Sequence, residues 1–340
     1  MNTLSRVRFA MTPRFTDQLF RPEMLAPLDL ARVEPEQVVR SWDEVGDDEL
    51  AEVEVVVTGW GAPRIDADVL RRMPRLRGIC HSAGTVRAII YPVVYERGVR
   101  VTTAAAANAV PVGEFALAMI ILACKQVFRA NVEYRPGHSV DHHRDFSTSG
   151  TYRRRVGLVG ASTIGRLVIE HLHRSTDLEV WVADPYLTAE EAGRLGVTKV
   201  ELDELLAGCD VVSLHAPLLD STRGMITARE LALLPDGATF INTARGGLVD
   251  HAALESELVS GRIWAVIDTT DPFEPLPDDS VLYGLPNVFL TPHIAGSQGN
   301  ELARMGDLAL RNAAALLSSD DPTTVVLEGE VTRELYDRLA

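Results

Sequence analysis

Four polar residues stand at the ends of short apolar runs: His215 in Leu-His-Ala-Pro, Arg245 in Asn-Thr-Ala-Arg-Gly-Gly, Asp268 in Ile-Asp-Thr-Thr, and His293 in Thr-Pro-His-Ile-Ala-Gly. Each run reads as a parallel β-strand, and an open parallel sheet binds its ligands outside the carboxyl ends of the strands. One such residue is more often structural than catalytic, but four at the same edge form a constellation. Upstream, an apolar run from Val156 turns on Gly160-Ala161-Ser162-Thr163-Ile164-Gly165 and continues with helical spacing to Leu172. Strand, tight turn and helix set a helix N-terminus against a pyrophosphate. Ser162 replaces the middle glycine of the G-x-G-x-x-G fingerprint, the one that lets the backbone approach the phosphates. Its hydroxyl can cap the helix or donate to a phosphate, so weakened but not abolished cofactor binding is expected. Asp184, nineteen residues after Gly165 and ahead of Pro185, can accept both adenosine ribose hydroxyls and repels the extra phosphate of NADP. Turn and carboxylate together point to NAD.

The elements that position these residues alternate between strand and helix. In the first third, strands are expected at Val53–Gly59, Leu76–Ser82 and Val99–Thr103, with helices at Asp66–Met73 and Thr85–Arg97. A small-residue run, Ala104–Asn108, leads into a long apolar helix from about Val110 to Tyr134. That run reads either as a crossing between domains or as a first helical turn of alanines. Residues 136–152 are polar and irregular and read as a loop. A second series supplies six strands, at Val156–Gly160, Leu178–Ala183, Asp210–His215, Ala238–Thr243, Trp264–Asp268 and Val288–Thr291. Repeated strand–helix–strand units imply parallel sheets covered on both faces. The expected fold is α/β, with two doubly wound parallel-sheet domains: residues 109–298, and 1–108 joined by 299–340. The amphipathic stretch Glu301–Leu317 is expected to return to the first domain, making two crossings that act as a hinge.

With 340 residues, 46% hydrophobic and 24% charged, the chain is long enough for two packed cores. Its net charge of −15 argues against binding nucleic acid or an anionic membrane surface, while leaving room for a small anionic substrate. Cys80, Cys124 and Cys209 sit in apolar runs without metal-ligand spacing and read as buried thiols. The N-terminus has no apolar signal core, and the longest apolar run, Phe115 to Cys124, falls short of a membrane span. A cytoplasmic protein is expected. No metal is expected either: Asp141-His142-His143-Arg144-Asp145 lacks a third ligand at useful spacing and reads as a surface loop, or as one that reaches over the cleft. His171 and His173 lie two apart on a helix and share no face. His81, at a strand end, reads as a satisfied structural histidine or as one that lines the cleft.

Several segments follow one another in a characteristic order: Ser82-Ala83-Gly84, Glu114-Phe115-Ala116-Leu117, the glycine turn, Asp210–Pro217, Asn242–Gly247, Glu274-Pro275-Leu276-Pro277 and Leu285–Gly296. In these the chain resembles the D-isomer-specific 2-hydroxyacid dehydrogenase family over nearly its whole length. The resemblance implies a Rossmann-type cofactor domain and a flavodoxin-like substrate domain. It makes His293 the acid–base group, Glu274 its carboxylate partner and Arg245 the substrate anchor, with Ser82, Ala83 and Gly84 adding substrate contacts. Asp268 would accept from the nicotinamide carboxamide, and Thr222 and Ile164 would lie along the pyrophosphate. Gly160, Ser162, Thr163, Gly165, Asp184, Pro185, His215, Ala216, Pro217, Thr243, Ala244, Arg245, His293 and Gly296 complete the implied NAD site. A homodimer through the cofactor domain is implied as well.

The chemistry suits those roles. Reducing a 2-oxo acid adds a hydride to the carbonyl carbon and a proton to its oxygen. Imidazole titrates near pH 6.5, about right for moving that proton, and a carboxylate on its other nitrogen fixes the tautomer. A guanidinium offers a planar fork to a carboxylate. Substrate bound between domains would be shielded from water on closure. Besides Ser162, two departures stand out. Phe273 looks inserted, so that Glu274 follows Asp268 by six residues where five are usual, leaving Asp271 as a reserve partner for His293. Gly84-Thr85-Val86 lacks the acid that usually follows, which hints at altered first-domain contacts. The expected activity interconverts a small 2-oxo acid and a D-2-hydroxy acid with NAD. The competing reading is a dinucleotide sensor with vestigial turnover.

Overall fold

The computed structural model describes residues 6–30, 32–139 and 146–338. The chain forms two compact units, Met1–Asn108 with Ser297–Ala340, and Ala109–Gly296.

In the first unit β1 (Val7–Ala10), β2 (Val55–Thr58), β3 (Gly78–His81) and β4 (Arg100–Thr103) form a parallel sheet in that order. Val39 adds one parallel bridge to Ala10, on the free side of β1. Counted as a strand, it gives the flavodoxin-like order 2-1-3-4-5. It stays a single bridge because the chain before it, with Pro22, Pro27 and Pro35, breaks into short 3₁₀ turns. One sheet face packs Val7, Phe9, Val55 and Val57 against Met305, Leu308, Ala309 and Leu316 of helix Leu302–Ser318. The other packs Val56, Ile79 and Val101 against Leu70 and Val94.

The helix expected over Thr85–Arg97 shrinks to Val93–Glu96. Pro92 disfavours helix in the residue before it, and Ile90 instead makes a parallel bridge to Ile65, whose N–H donates to Ile89 O at 2.7 Å.

The long helix expected from Val110 to Tyr134 is two helices, Ala105–Cys124 and Val127–Gly137, broken where Gln126 adopts a left-handed φ of 54°. The alanines are its first turn, and the boundary between the units, Asn108/Ala109, falls inside that helix. Because residues 105–114 join the apolar run, the first helix is 20 residues and long and apolar enough by length and composition to cross a membrane. More than half of that stretch is buried inside the protein, with Ala116, Ile120 and Ala123 in the core of the second unit. Residues 136–137 close the second helix and are not loop. The segment Asp141–Asp145 lies outside the described residues.

The second unit carries β5 (Arg155–Val159), β6 (Glu179–Ala183), β7 (Thr198–Lys199), β8 (Val211–Leu214), β9 (Thr239–Asn242), β10 (Trp264–Ile267) and β11 (Val288–Leu290). All are parallel, in the order β11-β10-β9-β8-β5-β6-β7. This is the Rossmann arrangement, with the chain reversing direction between β5 and β8. β7 is a seventh strand that the apolar pattern did not reveal, being two exposed residues long. Burial on both faces explains the near-continuous apolar strands. Val156, Leu158, Val180 and Val182 meet Ile120, Val168, Ile169 and Leu172 on one face. On the other, Val159, Val212, Leu214 and Phe240 meet Leu205, Leu231, Leu254 and Leu258. All three cysteines are buried and free, and burial pushes each thiol up, to about 11 for Cys124 and about 12 for Cys80 and Cys209.

Candidate active site

Strand register explains why the polar residues converge. Val159 pairs with Ala183 and Leu214, Leu214 with Asn242, Asn242 with Ile267, and Ile267 with Leu290. One residue beyond these, Asp184, Gly160, His215, Thr243, Asp268 and Thr291 form a single row along the carboxyl edge. Residues in one row share a face of the sheet.

At the switch point Gly160 adopts φ +102°, and a Cβ there would lie 2.7 Å from Ala216 N. A Cβ on Gly165 would lie 2.2 Å from Gly160 O, so both glycines are required by backbone approach. Helix Thr163–Ser175 begins here, and its first internal bond runs from Arg166 N–H to Ser162 O. The N–H groups of Thr163, Ile164 and Gly165 precede that ladder and suit an anion. Ser162 occupies the N-cap position but makes no side-chain cap; its Oγ donates to His215 O at 2.7 Å. The expected helix cap is not made, because the nearby carbonyl takes the hydroxyl proton. Asp184 accepts from Ala161 N–H (2.7 Å) through Oδ2 and from Tyr186 N–H (2.8 Å) through Oδ1. It is half-buried, so each oxygen keeps acceptor capacity. Pro185 beside it is exposed.

Thr222 Oγ1 donates to Pro217 O (2.6 Å) and accepts from Leu219 N–H (2.8 Å). Its hydroxyl closes the turn after β8. Ala216 and Ala244 are buried and Pro217 is exposed. His215 is buried, and desolvation pushes its imidazole down to about 4. Its Nε2 and the buried Oγ1 of Thr243 have no hydrogen-bond partner among the described residues. Such orphaned atoms need a partner. With the free helix N-terminus and Asp184, this row fits a dinucleotide.

Towards β11 the row becomes chemical. Asn242, which motif reading had treated only as a family match, is buried and braces the next loop: its Oδ1 accepts from Ala244 N–H (3.0 Å) and its Nδ2 donates to Arg245 O (3.0 Å). Arg245 is exposed, donates to Ala244 O (2.6 Å), and forms no ion pair among the described residues. Glu274 Oε1 stands 2.9 Å from His293 Nδ1, both side chains being a little over two-fifths exposed. The extra residue is absorbed by an outward bulge: Phe273 is 58% exposed and its carbonyl accepts from Thr270 Oγ1 at 2.5 Å. Asp271, the reserve partner, faces Arg223 at 4.0 Å. Glu274 also lines a cavity of about 740 Å³ with Leu276, Tyr283 and Phe289.

Asp268 is the most heavily bonded carboxylate of the row. Only 1% exposed, its Oδ1 accepts from Thr291 Oγ1 (2.6 Å) and Ile294 N–H (2.8 Å), and its Oδ2 from Ala295 N–H (3.0 Å). The carboxylate assigned to the nicotinamide carboxamide is thus held by its own chain with one acceptor site left on Oδ2, and Asp268 lines the same cavity as Glu274. His293 sits in that loop with φ +56°, a conformation costing a non-glycine residue roughly 1–2 kcal/mol. Hydrogen bonds to a charged group contribute about 1.5–3 kcal/mol each, enough to hold it. Gly296, at the end of the unit, is half-buried.

In the first unit Ser82 is fully buried, and both its N–H (2.7 Å) and its Oγ (2.8 Å) donate to Thr58 O. Ala83 is buried and Gly84 exposed, so the N–H groups left for a ligand belong to these two. His81 Nδ1 meets Thr58 Oγ1 at 2.9 Å, and burial pushes its imidazole down to about 4, a structural histidine. Among the described residues no group of three or more His, Cys, Asp or Glu is placed to hold a metal.

Residues 117–295 match the sequence profile described as D-isomer specific 2-hydroxyacid dehydrogenase, NAD binding domain. A D-3-phosphoglycerate dehydrogenase of Mycobacterium tuberculosis is 32% identical over 274 residues, 80% of this chain and 51% of that protein. The chain therefore spans about half the length of that relative. A hydroxypyruvate reductase of Thermotoga maritima is 30% identical over 260 residues, 76% of this chain and 82% of the relative. The crystal structure of a D-lactate dehydrogenase from Aquifex aeolicus, complexed with NAD and lactic acid, superposes with a TM-score of 0.67 at 26% identity, covering 93% of this chain and 96% of that one.

Proposed function

Because the chain belongs to the D-isomer specific 2-hydroxyacid dehydrogenase family, we propose that it interconverts a small 2-oxo acid and the corresponding D-2-hydroxy acid with NAD. The observation that carries this reading is the His293–Glu274 pair. Nδ1 is engaged by the carboxylate, which leaves Nε2 as the nitrogen that exchanges a proton with substrate. A dinucleotide sensor has no need of such a pair.

The phosphates would rest on the turn Gly160–Gly165 and the N-terminus of its helix, the adenosine ribose on Asp184, and inner polar groups on His215 Nε2 and Thr243 Oγ1. When bound, NADH supplies the hydride that reduces the carbonyl carbon. Arg245, without an ion pair among the described residues, would take the substrate carboxylate in a bidentate grip and polarise the adjacent carbonyl. His293 would give its Nε2 proton to the carbonyl oxygen as charge develops there. Glu274 stabilises the imidazolium before the transfer and holds the ring's orientation throughout. In the oxidative direction the neutral imidazole takes the hydroxyl proton back. The same proposal makes it a cytoplasmic enzyme acting on a small anion, and the net charge of −15 argues against nucleic acid or an anionic membrane as partner. Assembly as a homodimer through the second unit is part of the same proposal and is checked by light scattering.

The decisive experiment follows NADH consumption against a panel of 2-oxo acids. Wild type is expected to turn over at least one, and His293→Ala to lose kcat by roughly 10²–10⁴, the contribution of a positioned general acid. NADH binding without turnover on any acid would favour the sensor.

A further inference from the structure

We infer that the C-terminal segment Glu328–Arg338 is a strap that positions the turn Val86–Ile90 and, through it, the loop Ser82–Gly84, with Tyr336 as its positioning residue. Its bearing on turnover rests on the reading of Ala83 and Gly84 as substrate contacts. Strap and loop both belong to the first unit. Neither Ala83 N–H nor Gly84 N–H has an acceptor among the described residues, so their own donors do not fix their direction. The loop is held instead through a carbonyl and by the turn that follows it. Ala83 O accepts from Ala104 N–H (2.9 Å), and Val86 O accepts from Ile89 N–H (2.9 Å) and Ile90 N–H (3.0 Å).

Both holds lead outward to the C-terminal segment. Residues 329–331 run antiparallel along the free side of β4: Thr103 N–H donates to Gly329 O (2.9 Å) and Val331 N–H to Val101 O (2.8 Å), about a bridge between Thr102 and Glu330. Glu330 also accepts from Arg100 Nε and Nη2, each at 2.7 Å. The backbone leading into Ala104 is thereby fixed. Helix Arg333–Arg338 then covers the turn. Tyr336 Oη donates to Ile90 O (3.0 Å), and its ring packs against the cluster that contains Val86, Ile89 and Ile90. The Arg87 guanidinium lies 5.3 Å from the centre of that ring and donates to Tyr336 O (3.3 Å). A six-residue helix does not hold itself in water. Of residues 333–337 only Tyr336 is not exposed, so this side chain docks the helix onto the turn. A substrate carboxylate keeps its charge from ground state to transition state, so N–H groups that grip it bind both equally. Misplacing them raises KM and leaves kcat nearly unchanged.

The test compares full-length Tyr336→Ala and Tyr336→Phe with wild type by two readouts: hydrogen exchange of the Ile89 and Ile90 amides, set against the amides of β2, and kcat and KM with a 2-oxo acid that wild type turns over. For Tyr336→Ala the strap requires exchange at Ile89 and Ile90 faster by about tenfold, with β2 as in wild type. It also requires KM raised by about tenfold with kcat within about 2-fold. Tyr336→Phe keeps the ring, removes only the hydroxyl donor and guards against misfolding of the first variant. It should move exchange and KM the same way by about 3-fold, the effect of one neutral hydrogen bond. Unchanged exchange at Ile89 and Ile90 in Tyr336→Ala overturns the strap, and so does exchange raised equally across β2 and the turn, which would make Tyr336 a general stabiliser of the unit. Exchange raised at the turn alone with KM unmoved leaves the strap standing and removes Ala83 and Gly84 from the substrate site. Exchange needs no turnover, so the strap is judged even if no 2-oxo acid proves to be a substrate.

Discussion

At the scale of single residues, the site depends on which polar atoms the chain uses itself and which it leaves open. Ser162, Thr222 and Asp268 all form side-chain hydrogen bonds within the chain, whereas among the described residues His215 Nε2 and Thr243 Oγ1 have no hydrogen-bond partner and Arg245 no ion pair. Asp184 is intermediate, each oxygen holding one backbone N–H with capacity to spare. In the proposed cofactor site its charge would repel a 2′-phosphate. Asp184→Ala is therefore expected to narrow the preference for NADH over NADPH by tenfold or more, about 1.4 kcal/mol of discrimination, read from kcat/KM with each cofactor. An unchanged ratio would remove Asp184 from the ribose site. None of these distinctions was visible in the motifs, which identify residue types and say nothing of their bonds.

At the scale of elements, loop length matters more than loop composition. The stretch from Asp268 to Glu274 is anchored at one end by the buried Asp268 and at the other by the Glu274–His293 contact. Phe273 points outward between them. Phe273→Ala should change kcat less than about 2-fold, as expected for a surface side chain. Deleting Phe273 removes up to about 3.5 Å of chain and should pull Glu274 out of hydrogen-bond reach, with a kcat loss of tenfold or more. A deletion variant as active as wild type would mean the loop has slack that its hydrogen bonds do not suggest. Strand and helix positions in the second unit were largely legible, since apolar runs broken by Gly, Pro and Asp mark buried parallel strands. The helix expected over Thr85–Arg97 failed because Pro92 and the Ile65–Ile90 bridge outweigh local helical spacing.

At the scale of the whole molecule, each unit has among its described residues one buried histidine, His81 in the first and His215 in the second, both pushed down by burial from about 6.5 to about 4. In the unfolded chain they titrate near 6.5 and bind protons that the folded protein refuses. Stability therefore rises with pH between about 4 and 6.5 and is unaffected by these groups above that. Lowering the pH from 7 to 5 should cost each unit about 1–2 kcal/mol from its histidine, measured by urea unfolding at the two values. His215→Asn should flatten that slope in the second unit. An unchanged slope would mean that His215 takes up its proton in the folded state.

The sequence alone determined the α/β class, the two series of strands, the NAD-type turn and the family, because each rests on local signals: apolar runs, turn residues and short motifs in order. Tertiary structure decided what lies between those signals. Strand register placed Asp184, His215, Thr243 and Asp268 in one row, and the packing of neighbouring loops settled which of their atoms remained free. It decided that Glu274 reaches His293 across an extra residue, and that Asp268 is bonded to the loop carrying His293. Hydrogen bonds link residues 26 and 27 positions apart there, and no local pattern encodes a contact that only the fold brings within 3 Å.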